Sequence, residues 1–531
     1  MGRKTRRAKA PQALPFRERL AREQCTVIKD WGGRLSVALV YPNSYYIGMS
    51  NLGVHTIYSL LNDYKDVVCE RVFLNNETLL SIESGRPLAD FDVIAFSISY
   101  ELDYFNIAGI LKESGIPLYT AERKDRHPLV IAGGACISAN PLPLAPFFDC
   151  LCIGEAEPII PAMLSVICRG DMRRQEKLKE LAKLPGIYAT QYAGSRAVAR
   201  QWLHNIDDFT AASTVLTMDT ELGGLYLIEV ERGCGWGCRF CLVNSVFCPF
   251  RYHSLERLLE KVQEGLKYRQ RIGLVGPAIG AYPQIEELLH KLTEMGAGFS
   301  LSSLRVNPLS DPLLDETIKG GARTLTLAPE AGSERLRQII NKRITEENLL
   351  LAVSKAAAKG IRQLKLYFMI GLPTETDDDI QQLIKLVLKC KSKVDRVGGG
   401  CRLVINISPF IPKAWTPFQW LPMTELPVLS RRLDVIKKGL QAKGVKVKSE
   451  SPAWSHVQGA LSRGDDKIAA VLASMEDVSL AGWRKACKKQ QLDPAYYTLE
   501  RWDTAQKLPW EIFDMGVSRD RLADELKRAF N

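Results

Sequence analysis

The chain has 531 residues, 46% of them hydrophobic, and a formal net charge of +11 at pH 7. Such a length exceeds one ordinary domain and calls for two or three. No stretch approaches the roughly 18–20 uninterrupted apolar residues of a membrane span, and "MGRKTRRAKAPQALPF" lacks a signal-peptide core and has Arg6 where N-myristoylation wants Ser or Thr. A cytoplasmic protein without a membrane partner is expected.

The positive charge is uneven. Residues 1–24 hold eight Lys/Arg against two Glu, so a basic arm over 1–33 is expected, either a solvated tail or a contact for nucleic acid. From residue 34, short β-branched runs alternate with helical patterns. "LSVALVY" and "VVCERVF" are followed by "FDVIAFSIS", "PLVIAGG" and "CLCIG", with "VHTIYSLLNDY" and "ELDYFNIAGILKESG" among the intervening helices. Strands ending in Gly, Ser or Asn and separated by helices predict a doubly wound Rossmann-like domain over 34–190. Residues 191–222 show no clean period and read as a connecting segment. A second β/α series starts with "LYLIEVERG" and runs through "IGLVGPA", "FSLSSLR", "RTLTLAPE", "QLKLYFMIGLP" and "RLVINISPF". Six such units predict a partial (β/α)6 TIM-type barrel over 223–425, with its chemistry at the strand C-termini. The pattern over 426–531 is helical. The fold class is therefore α/β.

Thirteen cysteines in a large chain without a secretory signal do not suggest a disulfide scaffold. Ten are scattered and read as small buried hydrophobes. Cys234, Cys238 and Cys241 in "VERGCGWGCRFC" are spaced C-x3-C-x2-C just after the first barrel strand. Three soft thiolates suit an iron–sulfur cluster or zinc. Structural zinc wants a fourth ligand, for which Cys248 is the nearest thiol. A cubane held at three corners keeps one iron open, and the glycines around it let the backbone wrap a compact inorganic core.

This segment resembles the cluster motif of radical S-adenosylmethionine (SAM) enzymes. The resemblance implies a [4Fe-4S] cluster on Cys234, Cys238 and Cys241, with SAM on the open iron. It also implies one-electron cleavage of SAM into methionine and a 5′-deoxyadenosyl radical, fed by a donor such as a flavodoxin or ferredoxin. Phe240 is implied to cover the cluster. In "GLVGPAIGAYP" the family's Gly-Gly-Glu is missing, which leaves backbone carbonyls near Gly276 and Ala278 to meet the SAM amino group. "SSLRVNP" offers Ser303 and Arg305, the guanidinium suiting the SAM carboxylate. "TLAPEAGSERLR" places Glu330 for the amino group or ribose, with Arg335 on the next helix. "FMIGLPTET" places Ile370, Gly371 and Glu375 at the adenine. Plainer structural roles are a mutual Arg305–Glu330 pair and a helix cap by Glu375.

Residues 34–190 resemble the cobalamin-binding domain that precedes many such modules. The Asp-x-His-x-x-Gly run that supplies its axial histidine is absent, and His55 is the only nearby imidazole. Cobalamin would therefore bind with no protein nitrogen on the metal, its nucleotide tail admitted beside Gly133 and Gly134. The resemblance extends through "SPFIPKAWTPFQW", where Lys413 and Trp415 either contact substrate or form a packed cover. The expected function is reductive SAM cleavage for modification of an unidentified substrate. One alternative is a methyltransferase or methylthiotransferase acting on RNA or protein, the latter drawing a second cluster from Cys69, Cys136, Cys150, Cys152 and Cys168. The other is a non-catalytic iron–sulfur protein that binds nucleic acid.

Overall fold

The computed structural model describes residues 16–74, 79–192, 194, 197–302, 304–306 and 309–531. Most of the expected basic arm, and Ser303, lie outside the described residues. The first sheet contains β1 (Leu35–Tyr41), β2 (Val67–Phe73), β3 (Val93–Ser97), β4 (Leu129–Gly133), β5 (Cys150–Cys152) and β6 (Ile187–Ala189) in the order β2-β1-β3-β4-β5-β6. All neighbours are parallel except β6 against β5. The strand order reverses beside β1, and in doubly wound sheets the crevice at that reversal is where ligands bind. β1 is apolar along its length because both of its faces are covered. Val37, Leu39 and Tyr41 pack with the helices Leu52–Asn62 and Ala156–Ile167, while Ala38 and Val40 pack with Tyr104–Glu113.

Among the described residues, the connecting segment adds β7 (Val198–Ala199) and a short 3-10 turn, Ile206–Asp208. The barrel then begins with β8 (Tyr226–Glu229), and the cysteine loop is flanked by the short antiparallel pair β9 (Glu231–Arg232) and β10 (Arg251–Tyr252). β11 (Arg271–Val275) lies between β8 and β12 (Gly298–Leu301). A single parallel bridge, Leu304 to Leu327, joins this group to β13 (Thr324–Glu330), β14 (Gln363–Ile370), β15 (Arg402–Pro409) and β16 (Lys446–Ser449). The six expected barrel strands are all present. β16 is a seventh, reached through the helix Leu426–Gln441, so the boundary expected at 425 falls inside a β/α unit. The signal for it was "VKVK" at 445–448, whose period of two is too short to stand out between helices.

The remaining C-terminal helices fasten the molecule together. Phe105 of the first domain stacks edge-on against Trp454 and Trp483, and Asn140 Nδ2 donates to the carbonyls of Ser462 and Gly464. β17 (Phe513–Asp514) pairs with β7.

Candidate active site

The cysteine loop leaves β9 and is held from three sides. Gly233 has φ +85°, and a Cβ there would stand 2.5 Å from the Phe247 carbonyl oxygen, so the turn requires glycine. Asn341 Nδ2 donates to the Gly237 carbonyl at 2.8 Å. Arg239 donates through its backbone N–H to Ile340 and through Nη1 to the carbonyls of Gln338 and Ile339, and pairs with Glu525 of the last helix at 3.2 Å. Phe240 packs half-buried against the core.

Burial pushes the free Cys241 thiol up to about 12 and raises Cys238 as well. Raised in this way the thiols hold their protons, and thiolates here would need a bound cation to compensate their charge. Cys248 is turned elsewhere: its thiol donates to the Ser245 carbonyl and its carbonyl accepts from Arg200.

Arg305 and Glu330 both come to this loop, and they do not pair with each other. The Arg305 guanidinium lies 3.5 Å over the Trp236 ring, and its Nε is buried with no partner among the described residues. Burial lowers its pKa while the nearby Cys238 and Cys234 act to raise it. A half-buried cation beside two thiols, with no carboxylate partner among the described residues, fits an anionic ligand group. A register shift between Leu327 and Glu330 aims Glu330 inward, with a left-handed φ of +67° that L residues seldom adopt. Its carboxyl is raised by burial, against the pull of Lys342 at 3.2 Å.

The other expected contacts are placed differently. The Gly276 carbonyl accepts from Ser302 Oγ at 2.7 Å and the Ala278 carbonyl accepts from Ala281 N–H, so both already carry internal bonds. Arg335 does not join the group: its guanidinium is bound to Thr374 and to Asp379 on the outer side of the barrel. Ile370 is fully buried on the helix-facing side of β14, in register with Leu364, Leu366 and Phe368, and does not face the barrel interior. Gly371 takes φ +75°, where a Cβ would meet Leu429. Glu375 accepts from Gly371 N–H at 2.7 Å and pairs with Arg432 at 2.9 Å; the cap of the following helix is Thr376. Trp415 is buried, its indole donating to the Ala139 carbonyl, and Lys413 pairs with Glu101, so this segment is a cover tied to the first domain.

Two residues went unnoticed in the sequence. Lys342 reaches the site from the turn after the helix Glu334–Ile339. Glu231, three residues before Cys234, is 1% exposed; its Oε1 accepts from Ala278 N–H and its Oε2 is buried with no partner among the described residues. Gly276 leaves room for it, since a Cβ there would come within 2.6 Å of Glu231 Cγ. Glutamates inside "VERGC" and "LAPE" look alike in sequence, and only the barrel's closure puts the first against the β11 loop.

In the first domain a cavity of about 390 Å³ opens between the helices Leu52–Asn62 and Ala156–Ile167 on the face of β1, β3 and β4. Gly133 and Gly134 line it at the end of β4. At Gly134, with φ +114°, a Cβ would collide with the Ile98 carbonyl at 2.4 Å. The cavity extends to Val246 and Phe247, just beyond the cysteine loop. His55 is not directed at a ligand: it is buried and bonded to the Met49 carbonyl and the Thr214 N–H.

A doubly wound sheet with a cavity is thus joined to an open barrel whose first loop carries the three cysteines. Residues 53–189 match the family described as radical SAM proteins, N-terminal, and residues 228–387 match the radical SAM superfamily. An uncharacterised protein of Methanocaldococcus jannaschii is 34% identical over 82% of this chain and 90% of its own length. An uncharacterised methyltransferase of Pyrococcus horikoshii is 24% identical over 64% of this chain and 73% of its own. Among solved structures, the cobalamin-dependent S-adenosylmethionine radical enzyme OxsB has a similar fold, with TM-score 0.51 and 12% identity over 93% of this chain and 79% of that one. The chain belongs to the radical SAM superfamily and is an enzyme; membership implies a [4Fe-4S] cluster, SAM and a reductant. Among the described residues, no helix is long and apolar enough to cross a membrane.

Proposed function

We propose that Cys234, Cys238 and Cys241 hold the [4Fe-4S] cluster and that the protein cleaves SAM reductively to modify a substrate in the barrel. The observation that carries this reading is the half-buried Arg305 stacked on Trp236 beside Cys238 and Cys234, with its Nε buried and without a partner among the described residues. The cluster supplies the electron that splits SAM. Arg305 takes the carboxylate of the cosubstrate, Glu330 its polar hydrogen donors, and the loop clamp through Arg239 and Asn341 keeps the thiols in register. Full-length protein reconstituted without oxygen and reduced with dithionite should form 5′-deoxyadenosine. Cys238→Ala should form none and retain little iron, and Arg305→Ala should raise the SAM requirement at least tenfold. Wild-type protein that holds iron and SAM yet forms no 5′-deoxyadenosine would refute the reading.

The apolar cavity favours a second element, a corrinoid held by the first domain, and with it a methyl transfer of the kind named for the P. horikoshii relative. The lining suits a heterocyclic nucleotide tail: apolar walls from Ile57, Ala95, Ile131 and Ile160, with a backbone approach at Gly133 and Gly134. A corrinoid supplies methyl-group chemistry when bound. The thiols that a second cluster would need are spread over β2, β5, the helix Ala135–Ala139 and the end of Ala156–Ile167, which speaks against methylthiolation. Aquocobalamin should co-elute with the wild type in gel filtration and not with Ala95→Phe, which fills the cavity. Equal retention by both would remove the corrinoid from the reading.

A further inference from the structure

Side chains alternate along the barrel strands, and the helix-facing set is uniformly apolar: Leu364, Leu366, Phe368 and Ile370 on β14, Leu403, Ile405 and Ile407 on β15. The opposite, concave set is polar. In register across three strands it places Lys365 beside Val404 and Lys446, then Tyr367 beside Asn406 and Lys448, with Arg402 two residues below Val404. Arg402, Lys446 and Lys448 are exposed and Lys365 half-exposed, and none has a carboxylate partner among the described residues. Of the acids at the upper rim, Glu330 pairs with Lys342, while Glu450, two residues beyond Lys448, is exposed and lies near Lys413, which itself pairs with Glu101.

Lysines on a sheet edge commonly serve to block edge-to-edge pairing. That explains Lys446 and Lys448 on the edge strand β16. It does not explain Lys365 and Arg402 on the two strands inside it, nor a tyrosine left 40% exposed in the hollow of a barrel. Asn406 Oδ1, next to that tyrosine, is buried without a partner among the described residues and awaits a donor.

We propose that this concave face binds a single-stranded polynucleotide, with the lysines and Arg402 on its phosphates, Tyr367 stacked on a base and Asn406 on that base's amide or amine edge. It rests on the preceding reading in taking the barrel as the substrate site. Strand spacing sets Tyr367 and Lys448 about 10 Å apart, the reach from a base to a neighbouring phosphate. Aromatic stacking with tracking cations is how single strands are gripped without a duplex groove. Outside the N-terminal arm the chain carries a net charge of only +5, so it is the local row of cations that suits a polymer of phosphates.

The test is fluorescence anisotropy of a labelled twelve-nucleotide RNA, and of the matching DNA, with full-length reconstituted protein over a salt series. Neither dithionite nor SAM is present. Since each phosphate contact adds about 0.7 to the log–log salt slope for single strands, K365S/K446S/K448S should lower the slope by about 2 and weaken binding roughly 30- to 50-fold at physiological salt. Tyr367→Ala should weaken binding roughly tenfold and leave the slope unchanged. Tighter RNA than DNA binding, or equal binding of both, supports the proposal. An unchanged slope in the triple variant overturns it, as does displacement of the RNA by a polyglutamate peptide of equal charge. Circular dichroism checks that the triple variant folds, and K448E provides the slope comparison if it does not. Polynucleotide binding without 5′-deoxyadenosine formation would sink the enzymatic reading alone; SAM cleavage without polynucleotide binding would sink this one alone.

Discussion

Glu155 stands where the first domain meets the strand that leads into the cysteine loop, and its removal should loosen both. Its Oε2 accepts from Arg232 at 2.7 Å, from Leu203 N–H at 2.9 Å and from Arg251 at 3.0 Å, and its Oε1 accepts from Arg251 at 2.6 Å. Burial pushes the carboxyl up, and the bonds from Arg251 and the charge of Arg232 more than offset it. Removing one member of a buried ion pair costs about 3–5 kcal/mol because the other charge stays buried. Arg232 keeps Glu157 and Glu229, so the loss falls mainly on Arg251 and Glu155→Ala belongs near the lower limit, about 3 kcal/mol. With an unfolding entropy of about 2.1 cal/mol/K per residue, that is a fall in melting temperature of about 3 °C if the whole chain melts together, and about 9 °C if the first domain melts alone. Circular dichroism at 222 nm and calorimetry would measure it, and Glu155→Gln, which keeps the volume but leaves Arg251 without its counter-charge, should lose a comparable amount. A melting temperature within 1 °C of wild type, with iron content unchanged, would refute this account of how the two domains are coupled.

Other outcomes follow from the same geometry. Glu231, raised to about 7 by burial with only the Ala278 N–H opposing, holds its proton more tightly folded than unfolded. The folded state therefore binds more protons between about pH 4.5 and 7, and stability should fall as pH rises through that window by up to ~1.4 kcal/mol per unit. Urea midpoints for Glu231→Gln, measured against wild type, should show that dependence flattened. Gly134→Ala forces a Cβ against the Ile98 carbonyl at φ +114°, and should cost at least ~2 kcal/mol in urea unfolding. Arg239→Ala frees the loop from the helix Glu334–Ile339 and from Glu525, and should lower iron retained after gel filtration without changing the far-ultraviolet spectrum.

Much of this arrangement was legible in the sequence because period and punctuation agreed with tertiary structure. "LSVALVY" and "VVCERVF" became β1 and β2 residue for residue: β1 is almost wholly apolar because both its faces are covered, and β2 has valines toward both ends, with its Arg71 paired to Glu23 and Glu83. The cysteine spacing located the site, and Arg305 and Glu330 lay near enough to strand ends to be placed beside it. What stayed hidden depended on direction. Arg335 and Ile370 sit in suitable segments but point outward, and a β-strand's alternation or a helix's turn decides that only once the register is known. Glu231 and Lys342 stayed hidden for the converse reason: they come from segments far apart in sequence, and each gains meaning only from the neighbour that barrel closure brings to it. The concave cations follow the same logic. Lys365, Lys446 and Lys448 are unremarkable in their own segments, and become one feature when the register of β14, β15 and β16 sets them on a common face, where none of them makes an ion pair among the described residues. Charge that local pairing leaves unanswered on this face is what the polynucleotide proposal rests on, and the salt slope of the triple variant is where it is tested.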